Sequence, residues 1–124
     1  MTTRSRRVLV ADDEPDIREI LRVYLTRLGY EVLLADTSLG ALEMASTYSP
    51  DVVLLDLLLD PGVRGEAVIK RISPEVPVIV ITGIDNAEIA RDVLESGAFD
   101  FVMKPFTLSR VRQVVEAAIA KNGD

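Results

Sequence analysis

Asp51-Val52-Val53-Leu54-Leu55-Asp56-Leu57-Leu58-Leu59-Asp60 is the stretch on which the fold turns. The unbroken apolar run Val52 to Leu55 reads as a strand buried on both faces, as in a parallel sheet covered by helices. Asp56 interrupts that run, and an ionised carboxylate without partners is costly in such surroundings. The strand therefore ends at Asp56, at the C-terminal edge of the sheet, where open α/β folds place their ligands. Taken alone, Asp56 has an ordinary explanation as a turn former.

Outward from this strand, short apolar runs alternate with segments of helical spacing. Val8 to Ala11 is a strand that stops at Asp12-Asp13-Glu14-Pro15, where Pro15 suits the first turn of a helix and the acids suit its N-terminus. In that helix Ile17, Ile20, Leu21, Tyr24, Leu25 and Leu28 define a buried face, and Gly29 is the expected C-terminal cap. Glu31 to Ala35 is the second strand. The second helix runs from about Thr37 to Tyr48 with Leu39, Leu42 and Ala45 inward and Pro50 beyond its end. After Asp56 and the turn formers Asp60-Pro61-Gly62, a short third helix carries Ala67, Val68, Ile69 and Ile72. Pro74 and Pro77 bracket the entry to the fourth strand, Val78 to Ile81, which stops at Thr82-Gly83. A fourth helix follows from about Asp85, its expected N-cap, to Ser96, with Gly97 as C-cap. The fifth strand, Phe99 to Met103, ends at Lys104-Pro105, and a fifth helix from about Thr107 to Lys121 turns Leu108, Val111, Val114, Val115, Ala118 and Ile119 inward.

Strands alternating with helices in this way predict an α/β, doubly wound (βα)5 sandwich of three layers. The flavodoxin-like strand order 2-1-3-4-5 fits best, because it opens a crevice beside strands 1 and 3. At 124 residues the chain is expected to be a single domain, residues 1–124, with no output domain after its last helix.

Fourteen Lys plus Arg against twenty Asp plus Glu leave a net charge of -6. That balance argues against direct nucleic-acid binding, and the cluster Arg4, Arg6 and Arg7 reads as a solvated flank. Cysteine and histidine are both absent, so any metal must be held by oxygen, which selects a hard cation such as Mg²⁺. No apolar run approaches membrane-spanning length and the N-terminus lacks a signal-like apolar region, so a cytoplasmic protein is expected.

The polar residues that end strands form a pattern: Asp12 and Asp13 after the first, Asp56 after the third, Thr82 after the fourth, Lys104 after the fifth. Each alone has a bland reading as cap, turn former, strand residue or solvated charge. Together they bring three carboxylates to one edge. Two like charges about 4 Å apart repel by roughly 4 kcal/mol at an effective dielectric near 20, so three demand a counter-charge or a protonated member. A divalent cation and Lys104 meet that demand. Mg²⁺ commonly takes one or two carboxylates together with phosphate oxygens. Asp56 is then the natural nucleophile for a phosphoryl group, since carboxylates form acyl phosphates and the other two serve as ligands.

At these residues the chain resembles the receiver domain of two-component response regulators, the CheY-like superfamily, from Val8 to about Lys121. The resemblance rests on Asp12-Asp13, Asp56, Thr82 and Lys104-Pro105-Phe106, with Phe101 matching the switch aromatic. It implies that Asp12, Asp13, Asp56 and the backbone carbonyl of Leu58 hold Mg²⁺, with Mn²⁺ able to replace it. It implies that Asp56 is the phosphoacceptor, assisted by Lys104 and Thr82, and that Thr82 and Phe101 form the switch. The implied partners are a histidine kinase, a histidine phosphotransfer protein or a small phosphodonor, and a downstream protein target or output domain. The chain would catalyse its own phosphorylation and dephosphorylation without being an enzyme in the ordinary sense. Homodimers through the fourth helix, fifth strand and fifth helix are a further implication, with Arg91, Asp92, Glu95, Asp100, Arg110 and Arg112 as candidate charges. The alternative reading is a phosphorylation-independent pseudo-receiver that serves as an interaction module.

Two departures from the family pattern stand out. Pro61 and Gly65 lie one residue further from Asp56 than the family places its proline and glycine, so one residue, most simply Asp60, is inserted. Leu58 and Ile84, two residues beyond Asp56 and Thr82, are apolar where the family often has polar groups that influence hydrolysis. The expectation is that they hinder an attacking water and prolong the acyl phosphate.

Overall fold

The computed structural model describes residues 5–73, 75–84 and 86–122. Val52–Asp56 forms the central strand, β3, of a parallel sheet completed by β1 (Arg7–Ala11), β2 (Glu31–Ala35), β4 (Val78–Thr82) and β5 (Asp100–Met103). The strand order is β2-β1-β3-β4-β5, the order the sequence pattern predicts. Every residue of β3 and β4 is buried, as expected of central strands covered on both faces.

The strands alternate with α1 (Pro15–Arg27), α2 (Ser38–Tyr48), α3 (Gly65–Ile72), α4 (Ala87–Glu95) and α5 (Leu108–Asn122). Period-two alternation in the strands divides the core into two layers. Leu9, Val53, Leu55, Val78 and Val80 pack with Ala41 of α2, Val68, Ile69 and Ile72 of α3, and Val93 of α4. On the other face Val8, Val10, Leu54, Ile79 and Ile81 pack with Leu21 and Leu25 of α1 and with Val111, Val114, Val115 and Ala118 of α5. Among the described residues no helix is long and apolar enough to cross a membrane.

Four local expectations change. Leu39 is exposed, because α2 starts at Ser38 and its inner face is set by Ser38 and Ala41. Ile20 lies at the edge of the α1 stripe and is 48% exposed, while Leu21 and Leu25 take the core. Ala67 faces outward because Gly65, Val68, Ile69 and Ile72 occupy the inner side of α3. The N-cap of α4 is Asn86, whose side chain accepts from the N–H groups of Glu88 and Ile89 at 2.9 and 3.2 Å; the expected cap, Asp85, lies outside the described residues. Gly29 and Gly97 do adopt the left-handed conformation that ends a helix, with φ of 99° and 111°.

Register aligns the strand ends. Ala11 pairs with Leu55, Asp56 with Ile81, and Thr82 with Met103. The residue after β1, the last of β3, the last of β4 and the residue after β5 therefore reach one edge of the sheet together.

Candidate functional site

At that edge one carboxylate oxygen from each of Asp12, Asp13 and Asp56 lies within 4.8 Å of the others. Asp12 and Asp56 are buried and Asp13 is exposed, so the cluster opens to solvent on the Asp13 side. Asp12 is fixed from several directions. Its own N–H donates to the Ala35 carbonyl at 3.1 Å, its Oδ1 accepts from the N–H of Glu14 at 2.8 Å, and its carbonyl accepts from Arg18 Nη1 at 2.8 Å.

Lys104 supplies the positive charge. Its Nζ stands 3.0 Å from Asp12 Oδ2, 3.3 Å from Glu14 Oε1 and 3.6 Å from Asp56 Oδ2. Burial acts to lower the pKa of this amine, but Asp12, Asp56 and Glu14 outweigh it and hold it above its ordinary value. The lysine is aimed by its backbone, whose N–H donates to the Thr82 carbonyl at 2.7 Å, and is followed by a cis bond to Pro105.

Asp56 is less well compensated. Its Oδ1 accepts from the Leu58 N–H at 3.1 Å. Burial is the largest influence and pushes its carboxyl pKa up, the Leu58 N–H and Lys104 pull it down, and the charges of Asp12 and Asp13 push it up again. Thr82 is buried at the end of β4, and its Oγ1 accepts from the Ile84 N–H at 3.0 Å. Phe101, half-buried, pairs with Val80 and packs into the α2–α3–α4 layer, on the face to which strand alternation assigns Thr82.

The loop between β3 and α3 makes a tight turn over Asp60 to Val63. Val63 N–H donates to the Asp60 carbonyl at 3.3 Å, and Gly62 has φ of 80°, as a type II turn with Pro61 in second position requires. Gly65 then packs directly on the residue after Asp56: a Cβ there would lie 2.9 Å from the Leu57 carbonyl oxygen. Leu58, 64% exposed, lines a cavity of about 710 Å³ with Asp13, Asp60, Val63, Ile84 and Ile89. On the other side of the pocket, Glu14, Ile17, Ile20, Lys104, Phe106 and Leu108 surround an apolar cleft of about 490 Å³.

The model of the response regulator receiver domain matches residues 8–116. The chain belongs to this family. The receiver is 40% identical over 117 residues to the transcriptional regulatory protein KdpE of Mycobacterium tuberculosis, an alignment covering 93% of this chain and 51% of that protein. It is 36% identical over 127 residues to the DNA-binding response regulator MtrA of Mycolicibacterium smegmatis, covering 100% of this chain and 55% of the other. The chain thus spans about half the length of these curated relatives. It is also similar to the crystal structure of the receiver domain of NtrX from Brucella abortus, with a TM-score of 0.84 at 36% identity, covering 91% of this chain and 98% of that one. A receiver is a signalling module and not an enzyme of the ordinary kind, and receivers partner histidine kinases.

The donor set of this receiver fits a hard divalent cation. Asp12 Oδ2 is buried, and among the described residues its partner is the Lys104 ammonium, 3.0 Å away. Three carboxylates sharing one ammonium carry more negative charge than that lysine offsets, and oxygen-only ligation suits Mg²⁺. Asp12, Asp13, Asp56, Thr82 and Lys104 all gather at this edge, with Leu58 at the mouth. Two participants were missed in the sequence. Glu14 was read only as a helix-start acid, yet it is the third carboxylate against Lys104; its position directly after Asp12-Asp13 was the available signal. Arg18 is the other, and nothing in its spacing announces that it reaches back to the Asp12 carbonyl. Of the N-terminal arginines, Arg6 and Arg7 serve the fold through ion pairs to Asp51 and Glu31, and Arg4 lies outside the described residues.

Proposed function

We propose that this receiver accepts a phosphoryl group on Asp56 in a Mg²⁺-dependent step and thereby switches the surface formed by α4, β5 and α5. The observation that carries the reading is the clustering of the Asp12, Asp13 and Asp56 carboxylates at the sheet edge, with the single ammonium of Lys104 against Asp12 and Asp56. Asp12, Asp13, Asp56 and the Leu58 carbonyl would hold Mg²⁺, or Mn²⁺ in its place. Once bound, the ion neutralises carboxylate charge and orients phosphoryl oxygens.

The chain's own groups supply the remaining chemistry. The Asp56 carboxylate attacks the phosphorus of a phosphohistidine or small phosphodonor; the O–P bond forms as the donor's P–N or P–O bond breaks, and the leaving group departs with its bonding electrons. Lys104, kept protonated by its carboxylates, offsets charge on the transferring group. The product adds about -1.5 to -2 charge and strong acceptor oxygens. The Thr82 hydroxyl, whose oxygen now accepts from Ile84, has its proton free to donate to one of them. Phe101 then turns into the space the threonine leaves, and the α4–β5–α5 surface changes.

The donor is a histidine kinase or histidine phosphotransfer protein, for which the apolar cleft beside Lys104 and the exposed Ile20 offer a packing surface. Residues 1–124 act as one receiver domain in the cytoplasm, without contacting nucleic acid themselves. Their output is a protein target or an attached domain, since the relatives that share this receiver are longer and are named as transcriptional and DNA-binding regulators. Homodimers would use the α4–β5–α5 surface, where Asp100 and Arg110, 3.6 Å apart, pair within one chain and are available to exchange partners. Leu58 and Ile84 on the cavity beside the pocket make the acyl phosphate long-lived, so polar residues at both positions should speed its loss.

Incubation with acetyl phosphate and Mg²⁺ followed by intact mass tests this function. The wild type should gain one phosphoryl group, and Asp56→Asn, or omission of Mg²⁺, should abolish the gain. A wild type that stays unmodified would leave the pseudo-receiver as the better account.

A further inference from the structure

The loop after β3 carries one residue more than the receiver pattern, and we infer that this residue, Asp60, is a positioning residue for the acidic pocket. Its carboxylate clamps the loop to the start of α2, which holds the Leu57–Leu59 segment at the mouth of the pocket. The inference rests on reading that pocket as a cation site.

The first N–H groups of a helix have no partner within it. In α2 the Thr37 hydroxyl serves the N–H of Gly40 at 3.0 Å, and the N–H of Ser38 donates instead to Asp60 Oδ2 at 3.0 Å, a bond spanning 22 residues. The first turn of α2 contains no acidic residue of its own, so Asp60 supplies the negative charge that a helix start favours, and does so from a neighbouring loop. On the chain side, Asp60 opens the turn closed by Val63, and the segment before it alternates buried Leu57, exposed Leu58, buried Leu59. Leu58 is tied back by its N–H to Asp56. The stretch from Asp56 to Asp60 is therefore held at each end by an aspartate carboxylate on a backbone N–H. Asp60 lines the same cavity as Asp13. Released from α2, the loop would lose its anchor, and the Leu58 carbonyl would lose its fixed place.

Two measurements on the full chain, made below the melting temperature of every variant, test the clamp. In metal-free protein the amide hydrogen exchange of Leu58 reports loop opening directly. Asp60→Ala should speed it roughly tenfold. Ser38→Pro, which deletes the N–H at a first-turn position where proline is tolerated, should do the same. Asp60→Asn, which keeps an acceptor oxygen, should exchange as the wild type does. In a Mg²⁺ titration followed by backbone amide shifts, Asp60→Ala and Ser38→Pro should bind roughly tenfold more weakly, the size of effect usual for groups that orient metal ligands, with Asp60→Asn close to wild type. Unchanged exchange in Asp60→Ala and Ser38→Pro overturns the clamp. Faster exchange with unchanged Mg²⁺ affinity also overturns it as a positioning device and leaves an ordinary helix cap. A wild type that does not bind Mg²⁺ refutes the cation site itself, and the exchange data then judge the clamp separately.

Discussion

Asp51 and Asp56 flank one strand, are both buried, and have opposite surroundings. Asp51, just before β3, accepts the Arg7 N–H at 2.7 Å and stands 3.5 Å from the Arg6 guanidinium. Asp56, at the other end, accepts one N–H, shares Lys104 with Asp12 and Glu14, and faces two further carboxylates. A buried carboxylate given its own cation and a backbone donor is part of the scaffold. One placed among like charges around a shared cation is poised for something from outside. The same residue type therefore anchors the fold at one end of a strand and waits for a ligand at the other.

Removing the shared cation should break this contrast most severely. Lys104→Ala leaves buried carboxylates facing one another, and a loss of about 3 kcal/mol is expected in urea unfolding of the metal-free chain. Because the defect is excess negative charge, Mg²⁺ should recover a large part of it. At the scaffold end, Asp51→Ala leaves the Arg7 N–H without its acceptor and should lower stability by about 2 kcal/mol. Mg²⁺ should not restore that loss, and phosphoryl acceptance by Asp56 should survive wherever the variant is folded.

The smallest effect has the opposite sign. Burial raises the Asp56 carboxyl pKa, so the native state holds that proton more tightly than the unfolded chain does. Ionisation therefore costs native stability: the cost is absent below the ordinary carboxyl range and appears as pH rises through the raised pKa. Metal-free Asp56→Asn escapes it and should melt slightly above wild type near neutral pH, with the difference vanishing in acid. A variant that melts below wild type at neutral pH would place Asp56 among the scaffold carboxylates.

Much of this contrast was legible in the sequence, for an identifiable reason. An apolar run cut by Asp56, repeated strand ends at Asp12-Asp13, Thr82 and Lys104, and the oxygen-only ligand inventory are one-dimensional signals, and parallel topology converts strand ends into a shared edge. The misreadings arise where the third dimension decides. Leu39 and Ile20 have the spacing of core residues, but the start of α2 and the width of the α1 stripe put them outside. Asn86 caps α4 with its side chain on the N–H groups of Glu88 and Ile89, and spacing alone does not single it out from its neighbours. The bond from Asp60 to Ser38 and the reach of Arg18 to the Asp12 carbonyl join segments whose proximity no local pattern announces. The turn formers Asp60-Pro61-Gly62 were visible as a turn, whereas the anchor of Asp60 required the neighbouring helix.

The claim beneath all of this is that the three carboxylates at the sheet edge are crowded because a divalent cation completes them. Thermal unfolding of the wild type near neutral pH, with and without Mg²⁺, tests it most directly. Binding restricted to the native state should add about 2.7 kcal/mol of stability at a hundredfold excess over Kd, and the melting temperature should rise with Mg²⁺ concentration. A melting temperature that does not move across millimolar Mg²⁺ would contradict the account.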